Sequence, residues 1–378
     1  MPRAVTTPRR APEVLLRRYW EDPDTPVVTA GLSALSLGYR GALRIRDLLY
    51  RGKLLRTGRL PCAVVSVGNL TLGGSGKTPT VELAVRTLLE LGAVPAVVSR
   101  GYGRVTRGVH VVADREGVRA DARTAGDEPL LLAERLPGVA VVVGENRYEA
   151  GRIAVERLGA TALVLDDGFQ HRTLAKDLEV LVVQGRAPWG NARVFPRGML
   201  REPLAGLARA HAVVVTNPEG PGPVEAVTAM VRRFNPRAAV LAAHYQHQDV
   251  VETQSGRRMP VADLAGRRLM AFAGLGSPQG FADTLDAAGI RRVAFAEFPD
   301  HHWFTAADLQ ELVQDARTGG AQGLITTEKD WVRLRDLPPS PLPLWVLPVR
   351  LALDSEHDVW TRLLSDALSS APLGRRRS

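Results

Sequence analysis

Residues 64–80 read VVSVGNLTLGGSGKTPT: a β-branched run ending at Gly68, a glycine-rich turn, and Gly76-Lys77-Thr78 opening a stretch with apolar residues at helical spacing. Strand, turn and helix start in that order form the context of a phosphate-binding loop. Gly73, Gly74, Ser75 and Gly76 let backbone N–H groups approach phosphate oxygens, and the helix N-terminus adds positive potential. Lys77 is then placed to reach the β- and γ-phosphates, and Thr78 to ligate Mg²⁺. The widely spaced glycine pattern is not met, because Thr71 stands where the first glycine would fall. Gly73 and Gly74 are expected to supply the turn instead.

A second chemical signal is Leu163-Val-Leu-Asp166-Asp167, a hydrophobic strand ending in two carboxylates and followed by Gly168-Phe-Gln-His171. Beside a phosphate loop, such a strand end delivers an acid to the metal and the γ-phosphate, since ligands bind at the carboxyl edge of a parallel sheet. Asp166 is the better Mg²⁺ ligand. Asp-Asp-Gly is also good turn chemistry, and His171 taken alone reads equally as a structural residue.

Three further groups have two readings each. Asp127 in Gly126-Asp127-Glu128-Pro129 precedes LLLAERL, and on spacing alone it is an N-cap for an amphipathic helix. In Phe298-Pro-Asp300-His301-His302-Trp-Phe304, neighbouring histidines point apart and no Cys or further His sits at ligand spacing, which argues against a metal site. An Asp-His pair near a phosphoryl acceptor would instead tune a general base. Arg100 and Arg104 in SRGYGR, and Arg197 and Arg201 in PRGMLREP, suit anionic groups or simply solvated loops.

All of these residues need a frame. From residue 60 onward, short β-branched runs alternate with helix-period segments, the pattern of a parallel sheet covered on both faces. Strands are expected at 63–67, 96–99, 140–143, 162–166, 180–183 and 212–216, enough for one doubly wound sheet. After the loop-like NPEGPGP, a helix-period stretch runs to Phe234. Residues 239–263 read as a hairpin or linker around Ser255-Gly256, followed by a second alternation with strands at 268–273, 293–297, 324–327 and 344–348. Segments are therefore expected at 1–59 (basic, amphipathic), 60–236 (phosphate-loop domain), 237–266 (hairpin linker), 267–366 (smaller α/β domain) and 367–378 (basic tail). A chain of 378 residues is too long for one core, since cores stop growing near about 250–300 residues.

Charge is concentrated at the ends. Residues 1–59 carry 12 Lys/Arg against five acids, and Arg375–Arg377 add three more cations, while the body between them is neutral to within one charge. Val27–Leu37 is apolar but too short to span a bilayer of about 30 Å. Basic residues interleaved with Leu43, Ile45, Leu48, Leu49, Leu54 and Leu55 follow it, so a helix here would suit an anionic lipid surface or pack on the domain. No recognisable nucleic-acid module accompanies the basic arm, and no nucleic-acid partner is expected. The single cysteine, Cys62, cannot form an internal disulfide, which fits a reducing, cytoplasmic setting.

Taken together, VGNLTLGGSGKTPT, SRGYGR, GDEPLLLA, VGENRYEAG, LDDGFQHRTLAKDLEVLVV, PRGMLREPL, FAGLGSPQGF, FPDHHWFT and LITTEKDWVRL resemble, in this order, the tetraacyldisaccharide 4′-kinases of lipid A biosynthesis. The resemblance covers roughly residues 30–350, and a GNxTxGGxGKTP loop is typical of that family. It implies transfer of the ATP γ-phosphate, with Mg²⁺, to the 4′-hydroxyl of an acylated glucosamine disaccharide 1-phosphate at the cytoplasmic face of the inner membrane. It also implies a phosphate-loop NTPase-type α/β domain and a smaller α/β/α domain joined by a two-stranded linker. Carried over by residue, Lys77 and Thr78 bind phosphate and Mg²⁺, Asp166 and Asp167 form the acidic site, and His171 lies near the nucleotide. Asp127 becomes the catalytic base and His301 its partner, displacing the capping reading. Arg100, Tyr102, Asn146 and Arg201 are the expected substrate contacts.

Two rivals have specific weaknesses. A regulatory GTPase needs an Asn/Thr-Lys-x-Asp motif, and Thr327-Glu-Lys329-Asp330 has its lysine one place late. A membrane-recruited module using nucleotide only as a switch would keep Lys77 but has no need of Asp127 or His301.

Overall fold

Ala63–Gly68 (β1) is small and β-branched and is buried along its whole length, as a strand covered by helices on both faces must be. The same holds for Pro95–Ser99 (β2), Ala140–Val143 (β5), Ala162–Asp166 (β6) and Ala212–Thr216 (β8), and nearly so for Leu178–Gln184 (β7). A hairpin of His110–Asp114 (β3) and Gly117–Val118 (β4) closes one edge, with Ala113 opposite Val118. The computed structural model describes residue 20 and residues 26–371 apart from 219 and 277. These fall into two units, one of residues 246–350 and the other of the described residues up to Tyr245 and from Leu351 onward.

In the larger unit, the strand order is β16–β9–β8–β7–β1–β6–β2–β5–β3–β4, where β9 is Ala239–His247 and β16 is Val349–Leu353. β1 pairs in parallel with both β6 and β7, so the chain passes over β6 on its way from β1 to β2. That reversal of strand order is where an open α/β sheet binds its ligand. Helices Lys77–Glu90 (α2), Ala122–Ala125 (α3), Asp127–Arg135 (α4), Arg147–Glu156 (α5) and Gly222–Phe234 (α6) complete the connections. α2 buries Val81, Ala84, Val85 and Leu88, a spacing that puts all four on one helix face.

The expected boundaries need two corrections. β9 falls in the expected linker 237–266, yet it extends the large sheet in parallel beside β8, with Leu241 and Ala243 buried in it. The smaller unit ends at Arg350, not 366, because Trp360, Leu364 and Ala367 of His357–Ser370 (α10) are buried in the larger unit. Trp360 Nε1 donates to Thr87 Oγ1 of α2 at 3.1 Å. The described part of the N-terminal segment also belongs to the larger unit: Pro26–Arg51 (α1) is one continuous helix, with Leu43 packed on a core that includes Leu70 and Leu200. Among the described residues no helix is long and apolar enough to cross a membrane. The tail arginines and residues 1–19 lie outside the described residues.

The smaller unit carries a six-stranded sheet in the order β11–β10–β15–β14–β12–β13. Val250–Glu252 (β10) and Arg258–Met259 (β11) form the antiparallel hairpin around Ser255-Gly256. Arg268–Ala273 (β12), Arg291–Glu297 (β13), Gly323–Thr327 (β14) and Leu344–Leu347 (β15) run parallel. Pro278–Ala287 (α7), Ala306–Thr318 (α8) and Glu328–Leu334 (α9) connect them.

Candidate active site

Gly76 occupies the N-cap position of α2 with φ +88°, a left-handed conformation that costs a glycine nothing. A Cβ there would lie 2.4 Å from the Tyr245 hydroxyl, so both torsion and space exclude a side chain. No side chain caps α2, which leaves its first N–H groups for a ligand. The preceding turn is held from within: Asn69 Nδ2 donates to Ser75 Oγ at 2.9 Å, and Thr216 Oγ1 at the end of β8 donates to the Ser75 carbonyl at 3.1 Å. Gln170 Nε2 donates to the Asn69 carbonyl and to Glu202, both at 2.9 Å, linking the turn to the segment after β6. The phosphate turn is thus a rigid cradle of backbone.

Beside it, β6 delivers its two acids into opposite situations. Asp166 is buried; Ser99 Oγ donates to its Oδ2 at 2.8 Å, while its buried Oδ1 has no hydrogen-bond partner among the described residues. Burial, and then the charges of Glu128 and Asp167, push its pKa up to about 7. Asp167 turns the other way through φ +51° and meets cations: Arg201 Nη1 lies 2.9 and 2.7 Å from its two oxygens, and Lys77 Nζ is 3.9 Å away. Burial acts to raise its pKa, but Lys77 and Arg201 outweigh it and hold the carboxyl below the ordinary range. Arg201, expected as a substrate contact, is therefore engaged with Asp167. His171 is half-buried, paired with Thr173 Oγ1 at 2.6 Å, and pushed down to about 4 by burial and by the nearby Arg147 charge. It is a neutral ring at physiological pH.

Asp127 is the first residue of α4 and is buried, with Gly126 at the N-cap position. Its Oδ1 accepts from the Glu128 N–H at 2.9 Å. The capping work nearby belongs to Asp121, which caps α3 through a reciprocal bond with Thr124. Gly126 has φ +91°, and a Cβ there would meet the Tyr102 carbonyl at 2.8 Å, so the SRGYGR loop rests directly on the turn that presents Asp127. Arg100 and Tyr102 are exposed on that loop, whereas Arg104 is tied to Glu145 at 2.7 Å. Asn146 caps α5, its side chain accepting from the Tyr148 and Glu149 N–H groups, so its oxygen has a structural use.

His301 belongs to the smaller unit, on the segment after β13. Its backbone is left-handed at φ +58°, its Nε2 is 3.4 Å from Lys329 Nζ, and Lys329 pairs with Asp300 at 3.2 Å. His302 is occupied otherwise: its ring stacks on Phe298 at 4.9 Å and its Nε2 lies 3.1 Å from Asp308 Oδ2, in the capping box of α8. The adjacent histidines are thus separated by role, and His301 is the one with a polar setting fit for chemistry.

The geometry assembled so far is a phosphate cradle with a lysine, a neighbouring acid pair, and a buried carboxylate on a glycine-hinged turn. The sequence model of the tetraacyldisaccharide-1-P 4′-kinase family matches residues 28–368. The chain belongs to this family. A tetraacyldisaccharide 4′-kinase of Syntrophus aciditrophicus is 39% identical over 89% of this chain and 93% of its own. One from Anaeromyxobacter dehalogenans is 42% identical over 84% of this chain and 85% of its own. A solved structure from Aquifex aeolicus, described as the "apo" form of LpxK in complex with ATP, is similar with a TM-score of 0.72 at 31% identity, covering 90% of this chain and 99% of that one.

The family's metal fits the residues present. Asp166 Oδ1 is a buried carboxylate oxygen with no hydrogen-bond partner among the described residues, beside the helix that carries Thr78, and hard oxygen donors of this kind suit Mg²⁺. Among the described residues there is no group of three or more His, Cys, Asp or Glu poised around a metal. Mg²⁺ commonly takes one or two protein ligands and completes its shell with phosphate and water.

Several contributors escape sequence reading. Arg147 follows Asn146 in GENR but is buried, donating to the Gly144 and Glu145 carbonyls; burial lowers its pKa while Asp166 and Asp167 support its charge. Ser99 opens the SRGYGR motif, but nothing there marks it as a bonding partner of Asp166, and Thr216 and Tyr245 sit near strand ends with no local motif to mark them. Only the ends of parallel strands, taken together, would have drawn attention to them.

Proposed function

We propose that the phosphate turn, the acid pair and Asp127 together perform the family's phosphoryl transfer. The chain is an ATP-dependent kinase of lipid A biosynthesis, phosphorylating the 4′-hydroxyl of a tetraacyldisaccharide 1-phosphate. Such a reaction asks mainly for positioning and charge neutralisation, with a base for the hydroxyl proton. The α2 N-terminus and the backbone of residues 73–76 hold the phosphates, and Lys77 neutralises the transferring group. Asp166 and Thr78 would hold Mg²⁺, which neutralises phosphate charge when bound. Asp167, clamped by Arg201, keeps Lys77 in place until phosphate competes for it. Neutral His171 serves the nucleotide as a hydrogen-bonding group.

Asp127 takes the proton from the sugar hydroxyl. Carboxylates are weak bases, and His301 is proposed as a second catalytic group that helps the proton leave. Arg100 and Tyr102, on the loop that rests on Gly126, and Asn146 at the start of α5 are proposed to meet the disaccharide and its 1-phosphate. The observation that carries this reading is the meeting of Lys77, Asp166 and Asp167 at the strand-order reversal, beside a capless helix start.

The same proposal places the enzyme on the cytoplasmic face of the inner membrane. α1 exposes Leu35, Leu37, Ile45 and Leu48, with Arg40, Arg44 and Arg51 on the same helix. Apolar burial in the headgroup layer, with about 1 kcal/mol of attraction per nearby basic residue, favours an anionic lipid surface. Steady-state kinetics tests the base assignment: Asp127→Asn should lower kcat about 10²-fold or more with little change in ATP affinity, while Lys77→Ala lowers both. Full turnover by Asp127→Asn beside a dead Lys77→Ala would remove Asp127 from the role.

A further inference from the structure

Residues 194–201 connect the N-terminal helix α1 to the phosphate turn of the larger unit. On one side, their backbone is laced to the start of the phosphate turn: Arg201 N–H donates to the Leu70 carbonyl and Leu72 N–H to the Met199 carbonyl, each at 2.7 Å. The Arg201 side chain, from the same segment, grips Asp167. On the other side, three side chains from the N-terminal region donate to this segment's carbonyls. Ser36 Oγ reaches Val194 at 2.8 Å, Tyr39 OH reaches Arg201 at 2.9 Å, and Trp20 Nε1 reaches Pro196 at 2.9 Å. The Tyr39 ring also meets Phe195 edge-on at 6.1 Å.

The segment is neither helix nor regular strand, so its shape rests on these contacts. Its internal bonds, Phe195 N–H to the Leu200 carbonyl and Leu200 N–H to the Arg193 carbonyl, close it into a compact loop whose two ends are tied to each other. Whatever shifts α1 therefore shifts the backbone paired with residues 70–72 and the cation facing Asp167. We propose that Ser36 and Tyr39 are positioning residues for the nucleotide, holding the phosphate turn through residues 194–201, and that ATP binding and seating of α1 on an anionic lipid surface consequently strengthen one another. Such coupling is reciprocal by thermodynamic necessity. The positioning part stands on the contacts alone, whereas the coupling part rests on the lipid-surface reading above.

The experiment measures the dissociation constant of a non-hydrolysable ATP analogue with Mg²⁺ for the full chain and for Ser36→Ala, Tyr39→Phe and the double variant. Each is measured with and without vesicles of phosphatidylethanolamine and phosphatidylglycerol, alongside melting temperature and vesicle flotation. Without vesicles, the double variant should bind the analogue about fivefold more weakly, with flotation retained, as expected for two lost hydrogen bonds. Tyr39→Phe keeps the ring on Phe195 and should weaken binding about two- to threefold with an unchanged melting temperature, so it decides the matter if the double variant folds poorly. Unchanged affinity in Tyr39→Phe and in a folded double variant overturns the positioning role. With vesicles, the unsubstituted chain should bind the analogue more tightly and the double variant should not. A chain that floats with vesicles yet binds the analogue equally well overturns the coupling. A chain that does not float overturns the lipid-surface reading and the coupling with it, while the vesicle-free comparison still settles positioning.

Discussion

Each unit carries a buried aspartate at the carboxyl edge of its parallel strands, and the two differ in their partners. Asp330, in the first turn of α9 just after β14, is fully buried, yet both of its oxygens are taken by the chain. Gly274 N–H donates to Oδ1 at 3.0 Å, Thr327 Oγ1 donates to Oδ2 at 2.7 Å, and Arg333 pairs with it. Asp166, at the end of β6, has one oxygen satisfied by Ser99 and the other by no hydrogen-bond donor among the described residues. A buried charge neutralised from within is scaffolding, and here it ties the β12, β14 and α9 ends together. A buried carboxylate left half-satisfied lowers stability, and its retention beside a phosphate cradle is explained by a cation brought in with the nucleotide.

That contrast can be broken most sharply by the same substitution at both sites. Asp330→Asn removes the carboxylate paired with buried Arg333 and should cost about 3–5 kcal/mol in denaturant unfolding of the ligand-free protein. Asp166→Asn should abolish turnover yet stabilise the ligand-free protein. Its pKa of about 7 lies above the ordinary value near 4, so its proton favours the folded state at low pH, and that contribution is lost as pH rises through 7. The gain in melting temperature from Asp166→Asn should therefore be near zero at pH 4, grow up to pH 7 and level off above it. A gain independent of pH would mean that Asp166 is not the titrating group.

The two histidines sharpen the comparison within one loop. His301→Ala should lower kcat about 10²-fold at nearly constant melting temperature. His302→Ala removes a ring stacked on Phe298 and a bond to the α8 capping box, and should cost about 1–2 kcal/mol of stability with kcat per folded molecule little changed. The smallest effect is expected at Asn146, where replacement by Ala should cost about 1 kcal/mol for the lost α5 cap. A large rise in KM for the disaccharide in the same variant would show that the remaining amide nitrogen also meets substrate.

The parts legible in the sequence are those whose signal is local. Strand β1, the glycine turn and Lys77 lie within 17 consecutive residues, and β6 announces its acids by ending in them. The pairing of Arg201 with Asp167 was not legible, because the two are 34 positions apart and meet only once residues 194–201 fold against residues 70–72. For the same reason β9 and α10 were assigned to the wrong side of a boundary: their apolar residues at 241, 243, 360 and 364 signal burial without saying in which core. Asp127 shows the converse. Its position before an amphipathic helix read as a cap, whereas the cap position belongs to Gly126 and Asp127 is buried at the first helical residue.

At the larger unit's carboxyl edge, the proposed chemistry is delivery of the γ-phosphate of ATP to a sugar hydroxyl. Incubation of the purified chain with γ-labelled ATP, Mg²⁺ and the acylated disaccharide 1-phosphate in detergent, followed by separation of glycolipid from inorganic phosphate, tests it directly. The label should appear on the 4′-oxygen of the glycolipid and should be lost with Lys77→Ala. Label recovered only as inorganic phosphate, or retained on ATP by a chain that binds the nucleotide, would contradict the account.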